Sequence, residues 1–186
     1  MRFNQHSELE DKHAFLSPSG YHWLNYDDMK LEARFTSAQA ARRGSALHEL
    51  AHNAITLGVK LSKSNYALAA YVNDAIGYKM SSEQALYYSD NCFGTADAIS
   101  FRRNKLRIHD LKTGLTRTSE RQLEVYAALF CLEYEQSPYE IAIELRIYQG
   151  DEVKVFEPPP EAIENIMCII VEHDRKIEEI RRQQNL

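Results

Sequence analysis

The sequence predicts an α/β protein in which a mixed central β-sheet is flanked by helices. Three observations predict it. Alanine-rich, helically spaced stretches fill the first eighty residues, short strand-like runs cluster between about 81 and 157, and an amphipathic segment closes the chain after Pro158-Pro159-Pro160. With 186 residues, 44% hydrophobic and 26% charged, the chain suits one domain over 1–186. Its parts are a helical region 1–80, a sheet with a central helix 81–157, and a closing helix 158–186. Only 7 Gly and 5 Pro exclude a disordered or collagen-like chain.

Each element has a local cause. Ser17-Pro18-Ser19 reads as a helix start, with Ser17 as cap and proline in the first turn, followed by a short helix carrying Tyr21, Trp23 and Leu24. Thr36 to Leu61 reads as a long helix with Leu47, Leu50, Ala51 and Ala54 as its apolar stripe, and Ser64 to Ile76 as another. Ala85–Ser89, Gly94–Arg102 and Lys105–Thr113 read as strands, the last two joined by a tight turn at Arg103-Asn104. Ser119 to Glu135 returns to helical spacing, with Leu123, Tyr126, Ala127, Phe130 and Cys131 on one face. Ile141–Tyr148 and Val153–Phe156 form a hairpin through Gln149-Gly150-Asp151, and Glu161–Gln183 is the closing helix.

Composition narrows the function classes. No apolar run reaches the length of a membrane span, and the polar opening Met1 to Lys12 does not read as a signal peptide, so no membrane partner is expected. Cys92, Cys131 and Cys168 form no CxxC pair, which argues against a disulfide framework, a zinc ribbon or a cysteine-held iron–sulfur cluster. The expectation is a soluble, reduced, cytoplasmic protein. Net charge is −5, yet Ser100 to Arg121 holds seven basic residues against two acidic ones. Such a patch on an acidic body binds phosphate locally, or else protects an exposed hairpin edge.

Chemistry concentrates between Gly94 and Gly114. Strand alternation puts Leu106, Ile108, Asp110 and Lys112 on one face, and Asp97, Ile99 and Phe101 on one face of the preceding strand. If Arg103-Asn104 is a two-residue loop, Asp97 lies opposite Asp110; if the loop is Asn104-Lys105, Asp97 faces Lys112. Opposed carboxylates about 5 Å apart need a proton, a lysine or a cation to coexist. Two hard carboxylates beside an ammonium suit Mg²⁺ or Mn²⁺ and a phosphate substrate. The plainer alternative is an ion triad closing the end of a sheet.

Asp97 followed by Asp110-Leu111-Lys112 resembles the PD-(D/E)xK nuclease signature in its RecB-type form. Gln122-Leu123-Glu124-Val125-Tyr126 matches that form's Gln-x-x-x-Tyr motif, and Gly44-Ser45-Ala46-Leu47-His48 its upstream Gly-x-x-x-His. Leu16-Ser17-Pro18-Ser19 with Trp23-Leu24 resembles the opening of phage-encoded RecB-type exonuclease-like proteins, so the likeness spans about residues 13 to 130. Ala96 stands where the family name has proline. Tyr26 stands where several relatives carry a cysteine and no C-terminal cysteine trio follows, so no iron–sulfur cluster is expected.

The resemblance implies a restriction-endonuclease-like core and a Mg²⁺- or Mn²⁺-dependent deoxyribonuclease, an exonuclease of phage recombination or DNA processing in the host cytoplasm. It implies that His48, Asp97, Asp110 and the Leu111 carbonyl hold the metal, that Lys112 orients the attacking water, and that Gln122 and Tyr126 position Lys112 or the phosphate. DNA is the implied partner, with a recombination or single-strand-annealing protein beside it. Arg102, Arg103, Arg117 and Arg121 are the candidate phosphate contacts, together with Ser17 and Ser19. The rival within the fold is a non-catalytic nucleic-acid-binding protein.

His48-Glu49-Leu50-Ala51-His52 also spells HExxH, the zinc-peptidase motif. The extended form fails, because Ile55 and Gly58 occupy the positions that need glycine and histidine. Asp74 or Glu83 could serve as a distant acidic ligand, but nothing in the sequence selects either. His109 falls opposite Asp110 and reads as packing or surface.

Overall fold

The computed structural model describes residues 14–62, 66–114 and 119–184. The chain divides after Ser45 into two compact units. In the first, a short 3-10 helix spans Pro18–Asn25 and α1 (Asp28–Leu57) begins. Ser17 does not cap through its side chain. Its Oγ bonds Ser19 Oγ at 2.9 Å, while its carbonyl accepts Trp23 Nε1–H at 2.9 Å. The cap belongs to α1 instead, where Asp27 Oδ1 accepts the Lys30 N–H at 2.8 Å. That is why α1 starts eight residues before the expected Thr36.

The second unit holds a five-stranded mixed sheet in the order β1 (Ser81–Ser89), β2 (Cys92–Arg102), β3 (Lys105–Lys112), β4 (Ala142–Gln149), β5 (Glu152–Phe156). β3 and β4 run parallel, and the other neighbours antiparallel. A parallel step needs a crossover, and α3 (Arg121–Glu133) supplies it. Leu123, Ala127 and Phe130 of α3 and Ile163 and Ile170 of α4 (Pro160–Gln184) pack on one face with Leu106, Ile108 and Leu145. On the other face Ala51, Ala54 and Ile55 of α1 and Leu68, Tyr71 and Val72 of α2 (Tyr66–Gly77) cover Ala98, Leu111 and Tyr148. The expected mixed sheet flanked by helices is observed. No described helix is long and apolar enough to cross a membrane.

Two expectations about α1 need correction. Leu50 lies outside the apolar stripe and is 48% exposed; Ile55 takes its place in the core. The helix ends at Leu57 and not at Leu61, because Gly58 adopts φ +68° and closes it. Val59 N–H bonds the Ala54 carbonyl and Gly58 N–H the Ile55 carbonyl, a Schellman ending that favours glycine.

The β2–β3 turn follows the first of the two expected registers. Arg103 and Asn104 both have positive φ, +52° and +56°, as a two-residue type I′ loop requires. Arg102 pairs with Lys105 and Ala98 with His109, so continuing the count sets Asp97 opposite Asp110.

Candidate metal centre

The β2–β3 ladder stops at Ala98–His109, one step short of the two aspartates. Leu111 therefore lacks a backbone partner on β2. Asp97 Oδ2 takes its place, accepting the Leu111 N–H at 3.0 Å. In a regular strand the N–H and C=O of one residue point to the same edge, so the Leu111 carbonyl faces the same opening.

β1 deforms at the matching position. Ser82 pairs with Ala98 and Gln84 with Ala96, which sets Glu83 opposite Asp97 without an inserted residue. Glu83 has φ +52°, a left-handed conformation that reverses side-chain alternation. The facing strand β2 loses its alternation at the same place. Ala96 packs with the α3 and α4 side, whereas Ala98, of the same parity, packs with α1 and α2. The expected common face of Asp97 and Ile99 is thus interrupted at Asp97, and Phe101 sits at the rim against Phe130, 37% exposed.

These distortions gather three donors. Ligand atoms of His48, Glu83 and Asp97 all lie within 4.8 Å of one another, and His48 Nδ1 is 3.5 Å from Asp97 Oδ2. Asp110 falls just outside this trio. It is 4% exposed, its Oδ1 is 2.9 Å from Lys112 Nζ, and its Oδ2 is buried without a hydrogen-bond partner. Burial pushes both aspartates above the ordinary carboxylate range. For Asp110 the negative charge of Asp97 adds to the rise, while Lys112 opposes it. For Asp97 the Leu111 N–H and His48 oppose, and Glu83 adds.

Lys112 extends the network onto α3. Its Nζ donates to Gln122 Oε1 at 3.1 Å, and Gln122 Nε2 lies 3.5 Å from the Tyr126 hydroxyl. Tyr126 lies against Gly94 so closely that a Cβ there would meet its Cε1 at 3.0 Å. Asp110, Lys112, Gln122 and Tyr126 are therefore linked residue to residue, and Asp97 adjoins them through the Leu111 N–H.

No known family model matches this chain, and no curated protein matches it.

The donor set fits a hard divalent cation. Two carboxylates and an imidazole surround the opening, and an unpaired buried carboxylate oxygen stands beside them. An unsatisfied buried acceptor is costly unless something pairs with it. The HExxH reading finds less support in the geometry. His52 lies one turn from His48 but its Nδ1 bonds Ser82 Oγ at 2.9 Å, and Glu49 is exposed. Among the described residues, the one metal-ligand trio contains neither.

The remaining candidates lie elsewhere. Arg121 is exposed beside Gln122 and pairs with Glu124 at 2.9 Å. Arg102 and Arg103 occupy the opposite end of the hairpin, five residues or about 16 Å along β2 from Asp97. Arg117 lies outside the described residues, and Ser17 and Ser19 belong to the first unit.

Sequence reasoning underrated Glu83, naming it only as a conceivable ligand for the HExxH motif. Residue type held no signal, since only the β1 register reveals its position. It also missed Tyr71, a buried α2 phenol. Burial first, then the charges of Asp97, Glu83 and Asp110, keeps it protonated. His109 is fully buried, with Nδ1 3.1 Å from the Tyr148 hydroxyl; burial pushes it down to about 3, so it is a neutral packing residue.

Proposed function

We propose that this protein is a metal-dependent deoxyribonuclease built on a restriction-endonuclease-like core, hydrolysing DNA phosphodiesters as an exonuclease with Mg²⁺ or Mn²⁺. One observation carries the reading: the unpaired, buried Asp110 Oδ2 beside a lysine, at the mouth where Asp97 has taken over a backbone hydrogen bond. An ion pair serving the fold alone gains nothing from leaving a buried carboxylate oxygen unpaired. Support for the core comes from the antiparallel β1–β2–β3 meander followed by α3 and a parallel β4.

His48, Asp97 and Asp110, with Glu83, would hold the cation. Bound there, it would polarise a phosphate oxygen and lower the pKa of a water. The side chains do the rest. Leu111 N–H fixes the Asp97 carboxylate. Asp110 and Gln122 hold the Lys112 ammonium from two sides, leaving its charge available to a non-bridging phosphate oxygen as negative charge grows there. Tyr126, seated on Gly94, steadies Gln122. With both aspartates inclined toward protonation, cation binding is favoured as pH rises through their range.

End-labelled linear DNA incubated with Mn²⁺ tests the proposal. We expect progressive release of mononucleotides, reduced at least 10²-fold in Asp110→Asn and in Lys112→Ala. Degradation by both variants equal to the parent's, or none by the parent, would refute it.

A further inference from the structure

The closed end of the β2–β3 hairpin holds a second concentration of charge. A pocket of about 690 Å³ opens there, lined by Tyr78, Lys79, Arg102, Arg103, Lys105 and Arg107. Among the described residues, no carboxylate lines it. Lys105 and Arg107 share one anion, Glu144, at 2.6 and 3.2 Å, and Arg146 shares it too. Lys105 also reaches the exposed Glu157 at 3.9 Å. Lys79, Arg102 and Arg103 are exposed, and among the described residues none of the three has a carboxylate within ion-pair distance. Five cations thus face one space.

Backbone strain makes the arrangement more informative. Lys79 has φ +52° at the end of α2, where Lys79 N–H bonds the Ile76 carbonyl and Met80 N–H the Ala75 carbonyl. Glycine is the favoured residue at such an ending. Arg103 has φ +52° at the first position of a type I′ loop, where asparagine, aspartate or glycine is favoured. At both places the chain carries a basic side chain where its backbone geometry disfavours one. Strain of this kind persists where the side chain has a task.

We infer that this pocket is a second binding site, which grips the phosphate backbone of a nucleic acid about 16 Å from the carboxylates. Its chemistry is charge without base readout. The one aromatic ring is already engaged by cations, since Arg107 lies 4.5 Å and Arg146 5.0 Å from the Tyr78 centroid. Its volume matches pockets that hold whole ligands, more room than one phosphate fills. The choice of DNA as the ligand rests on the proposed function. Its role would be to anchor the duplex while the other end of the hairpin acts on it.

The test is fluorescence anisotropy with a labelled 20-base-pair duplex in EDTA, which silences the cation site. The variant combines Lys79→Gly, Arg102→Gln and Arg103→Asn. Two of the replacements suit the backbone better than the originals, so its Tm should be no lower than the parent's. We expect at least tenfold weaker binding at low salt, and a salt dependence of log K shallower by about 0.9 for each phosphate no longer neutralised. Arg103→Asn alone should lower the slope by about one such step. Parent-like affinity and slope in both variants, or no DNA binding by the parent, would overturn the inference. So would tripolyphosphate binding that the triple variant loses while its DNA binding is unchanged, because the pocket would then serve a free polyphosphate. Charge-dependent binding without Mn²⁺-dependent cleavage would leave this site standing and remove the nuclease. Cleavage with variant-insensitive binding would do the reverse.

Discussion

Two carboxylates sit almost equally deep in adjacent strands, Glu144 on β4 at 7% exposure and Asp110 on β3 at 4%. Glu144 is saturated. Lys105, Arg107 and Arg146 all bond it, and although burial pulls its pKa upward, the Lys105 hydrogen bond and the three cations outweigh that and hold it below the ordinary range. Asp110 has one lysine and an unpaired oxygen, and burial together with Asp97 raises its pKa. The difference separates a carboxylate saturated within the fold from one that the proposed function assigns to an external cation.

Stability should divide the two most sharply. Glu144→Ala leaves three cations around an empty position and should cost about 3–5 kcal/mol in urea unfolding, the range for breaking a buried pair. Asp110→Asn keeps a hydrogen-bonding group beside the half-exposed Lys112 and removes a poorly solvated charge. In EDTA its effect should lie within about 1 kcal/mol of zero. Equal losses in the two variants would erase the distinction.

Acid titration offers a smaller effect with opposite signs. Asp97 and Asp110 have raised folded pKa values, so the native state binds more protons than the unfolded chain above about pH 4, and their contribution to stability falls as pH rises through that window. Glu144 is lowered; its contribution is present above its unfolded pKa near 4.3 and is lost as pH falls through the folded value. In EDTA, the Asp97→Asn, Asp110→Asn double variant should therefore gain on the parent as pH rises above about 4. An identical pH profile would show that the two aspartates are not electrostatically strained.

Much of this arrangement is legible in the sequence. The Arg103-Asn104 turn sets the hairpin register, and register sets Asp97 against Asp110. The Gln-x-x-x-Tyr spacing puts Gln122 and Tyr126 one turn apart, where Gln122 reaches Lys112 and Tyr126 adjoins Gln122. Alternation, however, assumes an undistorted strand. A left-handed Glu83 and a ladder that ends early both break it, and neither has a local sequence signal. Helix ends fail for a different reason: Asp27 and Gly58 are ordinary caps that the apolar stripe overshadows. The surplus of cations between Ser100 and Arg121 is visible as charge, but its separation into a hairpin-end pocket and a lysine paired with Asp110 requires the fold.

Calorimetric titration of Mn²⁺ into the intact chain tests the assignment of Asp110 to a cation most directly. One site per chain is expected, abolished by Asp97→Asn and Asp110→Asn, weakened by Glu83→Gln, and tightening as pH rises above the ordinary carboxylate range and the aspartates release their protons. Heats no larger than dilution in the parent, or binding unchanged in all three variants, would contradict the account.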